Sequence, residues 1–188
     1  MRIPRCAAGI RSQETRTGSG RSWWASEWMH RLEAMGLKGR LGRGKNYAMT
    51  GQVVSMEIAG PHVAARVQGT RPEPYVVTLD FRTPEPAARE KIVAALRGEP
   101  MDVARLLADD LPNEVEQLFK DVGYDLFPGG KLGPGRYDMT SACNCPDYAN
   151  PCKHAASVLI LLGEEVARRP LTLLELRGIL PEELYDED

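Results

Sequence analysis

The stretch VVSMEIAGPHVAARVQGTRPEPYVVTLDF, residues 53–81, contains three short runs rich in β-branched and aromatic residues: VVSMEI, VAARVQ and YVVTLDF. Within them apolar side chains recur with a period near two, the pattern of strands with one buried face. The turn-forming segments AGPH and GTRPEP separate the runs. An antiparallel meander of three or four strands is therefore expected, the fourth being NYAM (residues 46–49) leading in through the turn at Thr50–Gly51.

Toward the N-terminus the period changes. In WWASEWMHRLEAM, residues 23–35, Trp24, Trp28, Leu32 and Met35 fall at offsets of four, four and three. That is one stripe of an amphipathic helix, with Ser22 placed to cap it and Gly36 placed to end it. An aromatic stripe of this kind belongs to a core, though Trp23, lying off the stripe, is free to point outward. GLKGRLGRGKNY, residues 36–47, carries Lys38, Arg40, Arg43 and Lys45 among four glycines and reads as a loop. Residues 1–20 are basic and lack the apolar segment of a secretory signal, so they read as a flexible leader.

Toward the C-terminus, EPAAREKIVAALRG (residues 85–98) is helical, with Ile92, Val93 and Leu96 on one side and Gly98 as a stop. MDVARLLADD and PNEVEQLFKDVG follow as short helices, the second with Pro112 near its first turn. A glycine- and proline-rich passage then leads to a short strand around Tyr137–Cys143. The fold class is α+β: an N-terminal helix and a β-meander, then a mainly helical region. The expected segments are a leader (1–20), helix plus meander (21–82), a helical connector (83–135), the cysteine-rich segment with its following helices (136–180) and an acidic tail (181–188).

Composition narrows the classes. A hydrophobic fraction of 43% supports a packed core, and no run approaches the ~18 apolar residues of a membrane span. An intracellular, cytoplasmic protein is expected. The overall charge of −2 hides a division. Residues 1–82 carry 13 Lys and Arg against 6 Asp and Glu, residues 83–188 carry 11 against 20, and the net values are +7 and −9. A basic front and an acidic back suggest faces that meet different partners.

Three of the four cysteines and one of the three histidines lie in CNCPDYANPCKH, residues 143–154. Cys143 and Cys145, two apart on an extended segment, point to one side. Pro146 and Asp147 can reverse the chain, while Asn150 as N-cap and Pro151 as first helical residue would put Cys152 and His154 in a first helical turn. There the helix N-terminus favours a thiolate on Cys152. Three thiolates and one imidazole make a closed tetrahedral set for a structural zinc ion. Hard cations prefer oxygen donors. A Cys145–Cys152 disulfide and an iron–sulfur cluster are the alternatives. The following CKHAASVLILLGEEVA is apolar nearly all round, with Ala155, Val158, Leu159, Leu162 and Val166 on one face, so this helix is expected to be buried.

With its CxC and CxH pairs, this segment resembles the SWIM zinc-finger signature, which implies Cys143, Cys145, Cys152 and His154 as ligands of one Zn2+. The chain is also similar to bacterial SWIM zinc-finger family proteins in SWWASEW, in GKNYAMTGQVVSMEIAGPHVAARVQGTRPEPYVV, in LFPGG before the cluster and in LLELRG after it. That resemblance spans residues 22–180. It implies DNA-binding or protein-binding roles, beside a Swi/Snf-type helicase-like ATPase or another DNA-transaction protein.

No Walker A loop and no nucleophile or carboxylate–histidine constellation emerges, so no enzyme is expected. The leading expectation is an accessory that binds nucleic acid through Lys38, Arg40, Arg43, Lys45, Arg66 and Arg71, with Trp23 stacking on a base. The competing one is a protein–protein interaction adaptor that docks a basic partner through its acidic back half. The basic loop reads equally well as a solvated connection.

Overall fold

The computed structural model of the protein describes residues 4–13, 22–133 and 136–185. Helix α1 (Trp23–Leu32) leads through a kinked segment (Glu33–Leu37) into α2 (Lys38–Met49). Strands β1 (Val53–Ala59), β2 (His62–Val67) and β3 (Tyr75–Phe81) form the expected meander. Three short helices follow: α3 (Pro86–Arg97), α4 (Pro100–Leu107) and α5 (Asn113–Asp121). A small β4–β5 ribbon (Lys131–Gly133, Arg136–Tyr137) precedes β6 (Met139–Cys143), and α6 (Lys153–Arg168), α7 (Leu171–Leu176) and a 3-10 turn (Pro181–Glu183) in the expected tail complete the order.

The main sheet is antiparallel throughout, in the order β1-β2-β3-β6. Alternation places Val63, Ala65 and Val67 of β2, and Tyr75, Val77, Leu79 and Phe81 of β3, in the core. A bulge between Val53 and Ser55 breaks that alternation in β1. The α+β class is as expected. No helix among the described residues is long and apolar enough to cross a membrane.

The core is organised around α6, which is buried continuously from His154 to Gly163. The tryptophan stripe packs here as its spacing predicts: Trp24, Trp28, Leu32 and Met35 are buried, and Trp28 is fully enclosed. The Trp28 indole N–H donates to Leu159 O at 3.1 Å, and that of Trp24 to Val166 O at 3.1 Å. Gly163 makes the first contact available, because a Cβ there would lie 2.5 Å from the Trp28 ring. The missing side chain exposes the second lone pair of a carbonyl four residues earlier in the helix.

The largest departure from expectation is α2. Residues 38–49 are helix, neither a glycine-rich loop nor a lead-in strand. Leu37, Leu41, Gly44 and Ala48, at offsets of four, three and four, are buried. At Gly44 a Cβ would sit 2.8 Å from the Ala156 Cβ, so the glycine is what lets α2 lie against α6. A glycine in the apolar stripe hid the helical period. Gly36 does mark the end of α1, with φ at 77°, but as a kink between two helices.

Three smaller expectations also change. The Ser22 side chain makes no capping hydrogen bond, its hydroxyl being buried without a partner. Residues 4–13 of the expected leader are tied to the fold: Arg5 N donates to Gly69 O, Gly9 N to Gly51 O and Ile10 N to Val53 O. Ser12 and Gln13 then reach Glu164 on α6. The remainder of the leader (1–3 and 14–20) and tail residues 186–188 lie outside the described residues. Trp23 faces inward, edge-on to Phe127 at 5.7 Å, and donates to Leu111 O, so it is no base-stacking platform.

The segments LFPGG and LLELRG meet through Arg177. Its buried guanidinium donates to Leu126 O, Arg82 O and Phe127 O and pairs with Asp138 at 2.6 Å. Asp138 also accepts from Gly129 N at 2.8 Å. One buried ion pair with satisfied hydrogen bonds thus fixes the loop that enters β6.

Candidate metal centre

Strand β6 ends on Cys143, which pairs with Val77 of β3, and Cys145 lies just beyond. The chain turns at Asp147, whose carboxylate accepts from Ala149 N at 3.1 Å. Asn150 then bends back to β6, donating to Ser141 O at 2.8 Å and meeting the Ser141 hydroxyl. Asn150 is therefore a latch, and the helix begins later than the sequence suggested. Cys152 is the N-cap residue, its sulfur accepting from Ala155 N at 3.5 Å. Asn150 misled because its side chain finds a strand carbonyl before it can find a helix N–H.

The four donors converge. One ligand atom each from Cys143, Cys145, Cys152 and His154 lies within 4.8 Å of all the others. His154 Nδ1 is 3.7 Å from the Cys152 sulfur and 3.9 Å from that of Cys143. Zinc–sulfur and zinc–nitrogen bonds of ~2.3 and ~2.0 Å require tetrahedral edges of about 3.5–3.8 Å. The set therefore fits zinc with little rearrangement, and a closed set of three sulfurs and one nitrogen leaves no place for a hard cation. Nδ1 is turned to the sulfurs, so a zinc ion bound there would leave the ring proton on Nε2, which is buried without a partner between aromatic neighbours. The Tyr75 ring lies 4.5 Å from the imidazole and Tyr47 meets it edge-on at 5.2 Å, clamping its orientation.

The sulfurs are electrostatically unequal. Hydrogen bonding from Cys143 draws Cys152 down to about 3 against the effect of burial, with His154 and the Ala155 N–H adding to it. Cys143 is pushed well up as the thiol that donates to Cys152, and burial adds to the rise. Burial also raises Cys145, opposed by the Asp147 backbone. Cys152 is the sulfur ready to meet a cation first, as its helix-start position predicted.

Residues 135–163 match the SWIM zinc-finger family. The segment is a SWIM zinc finger. The whole chain is also 34% identical, over 176 residues, to the uncharacterized protein Rv2102 of Mycobacterium tuberculosis. The match covers 94% of this chain and 62% of that relative, so the chain spans less than two thirds of its length. No solved structure matches the chain. The matched segment brings the four candidate zinc ligands from one strand end and one helix start, joined by the 144–151 loop.

That loop divides two clefts. One, of about 850 Å³, is lined by Arg40, Arg82 and Arg136 together with Ser141, Asn150 and Pro151 of the finger. The other, of about 610 Å³, is lined by Arg43, Asn46, Tyr47, Lys153 and the Pro146–Asp147 limb. Helix α2 thus sends Arg40 to one side of the finger and Arg43 to the other. Lys38 opens α2, but its side chain lies outside the described residues, and Lys45 is half-buried. Arg66 is exposed on the outer sheet face, while Arg71 belongs to the β2–β3 loop, not to a strand, with its guanidinium 5.4 Å over Tyr75. The five whose side chains are described do not form one patch. Sequence reading missed Arg82, Arg136 and Lys153, which are scattered singly and become neighbours of the finger only in the fold.

Proposed function

We propose that this is a zinc-dependent nucleic-acid-binding accessory in which a single zinc ion has a structural role. The zinc would pin the start of α6 to the end of β6, and no catalytic role is assigned to it. The observation that carries the reading is the placement of cations from distant sequence around the SWIM loop: Arg40, Arg82 and Arg136 in one cleft, Arg43 and Lys153 in the other. The finger's own segment, residues 135–163, is balanced, with Arg136 and Lys153 against Asp138 and Asp147. Asp138 pairs with Arg177, Asp147 closes its turn, and each cleft is lined by more cations than acids. Phosphates would therefore meet a positive rim. Such a protein would act in the cytoplasm beside a Swi/Snf-type ATPase or another DNA-transaction protein, supplying grip and no motor.

The test is binding of the zinc-loaded protein to single- and double-stranded DNA and RNA at low salt. Affinity should fall with salt by a log–log slope of about −0.7 to −0.9 per phosphate neutralised. Arg43→Glu with Lys153→Glu should weaken all sequences alike. Absence of binding to every nucleic acid would overturn the reading in favour of a protein-interaction adaptor.

A further inference from the structure

Resting on the nucleic-acid reading, we infer that the finger loop is a stacking ridge for single strands, with Tyr148 as the residue that receives a base. Tyr148 is fully exposed, while the next most exposed large apolar side chain among the described residues, Met101, is at 73%. A lone exposed aromatic needs no explanation by itself. This one stands on a loop held at both ends by zinc-binding residues, tightened by the Asp147–Ala149 turn and latched to β6 by Asn150. The backbone beneath the ring is thus restrained, and its position is set by the fold.

The surroundings identify the occupant. The Asn150–Pro151 limb borders the cleft of Arg40, Arg82 and Arg136, and the Pro146–Asp147 limb borders the cleft of Arg43 and Lys153. A chain crossing the ridge would meet positive charge before the ring and again after it. This arrangement of cation, aromatic face and cation suits a single strand, whose phosphates track the charges while an unstacked base lies on the ring. A duplex keeps its bases stacked inside and offers the ring nothing.

The experiment compares the zinc-loaded protein with Tyr148→Ala and Tyr148→Phe, using oligothymidylate of about 16 nucleotides, the same backbone with abasic sites, and a duplex of equal length. The ring touches no core, so the melting temperature should be unchanged in both variants. Tyr148→Ala should weaken oligothymidylate binding roughly 5- to 150-fold and leave the salt slope unaltered, while Tyr148→Phe keeps most of the affinity. Abasic strand and duplex should be indifferent to both changes. Strand binding that survives Tyr148→Ala undiminished, or an equal loss on abasic strand, overturns the stacking role and leaves the nucleic-acid reading intact. If the unmodified protein binds none of the three probes, the stacking role falls, and the nucleic-acid reading falls with it when RNA is not bound either.

Discussion

Strand β6 is only five residues long, and its two ends are secured in opposite ways. At its start Asp138 meets Arg177 across 39 residues, in a buried ion pair whose guanidinium also serves three backbone carbonyls. At its finish Cys143 joins three donors within the next eleven residues. The first device is long in sequence and complete within the protein. The second is short in sequence and, on the proposed reading, would be completed by a cation from outside. The first would then hold with or without metal, and the second would make part of the fold conditional on it.

The sharpest way to separate them is to remove the metal site. Cys152→Ala, or prolonged chelation, should give the largest effect of all. Structural zinc binding in finger peptides is worth about 10–16 kcal/mol, so a loss beyond roughly 5 kcal/mol is expected. Hydrogen exchange should rise first around 143–154 and not around 126–130. A uniform rise over both would show that the two ends of β6 are not separate devices.

Zinc loading should also be proton-linked. The Cys143 and Cys145 thiols are raised and the Cys152 sulfur is already ionised at neutral pH. Zinc must displace protons from the first two, so loading acidifies a weak buffer and affinity grows as pH rises.

The other end breaks differently. Arg177→Met leaves Asp138 buried and unpaired, at a cost of about 3–5 kcal/mol in chemical denaturation. Adding Asp138→Leu should recover part of that loss. Recovery cannot be complete, because Leu126 O, Arg82 O and Phe127 O still lose their donor. Zinc content should stay at its original value in both variants.

The smallest effects test the helix that sequence reading missed. Gly44→Ala forces a methyl against Ala156 and should cost about 1–3 kcal/mol. Gly42→Ala meets nothing within 4 Å and should stabilise α2 by about 0.5–1 kcal/mol, which thermal melting resolves. A neutral result at both positions would return residues 38–49 to the status of a loop.

What was legible follows from the range of each signal. The three strands of the meander and the tryptophan stripe are patterns of neighbours and were read correctly, whereas NYAM, read as a fourth strand, belongs to α2. The CxC and CxH pairs are equally local, and the fold brings their four donors together. Helix α2 has a local pattern too, but Gly44 in its apolar stripe reads as a breaker until α6 is seen beside it. The capping error at Asn150 has the same origin, since Ser141 is its partner in space. The pairing of Asp138 with Arg177 has no local signature at all. Nor had the gathering of Arg82, Arg136 and Lys153, because a lone cation in a sequence carries no address.

The latch at Asn150 has one more consequence. Register places the backbone groups of Ser141 and Cys143 on the side of β6 away from β3, and Asn150 occupies the first of them. At the opposite margin of the sheet, Ile10 N takes up Val53 O. Both open borders are thus partly blunted, one by an N-terminal segment and one by the finger loop. Unpaired strand borders recruit strands from other molecules. Were the loop to loosen without metal, β6 would be uncovered as a template, and the expected failure under zinc starvation is self-association.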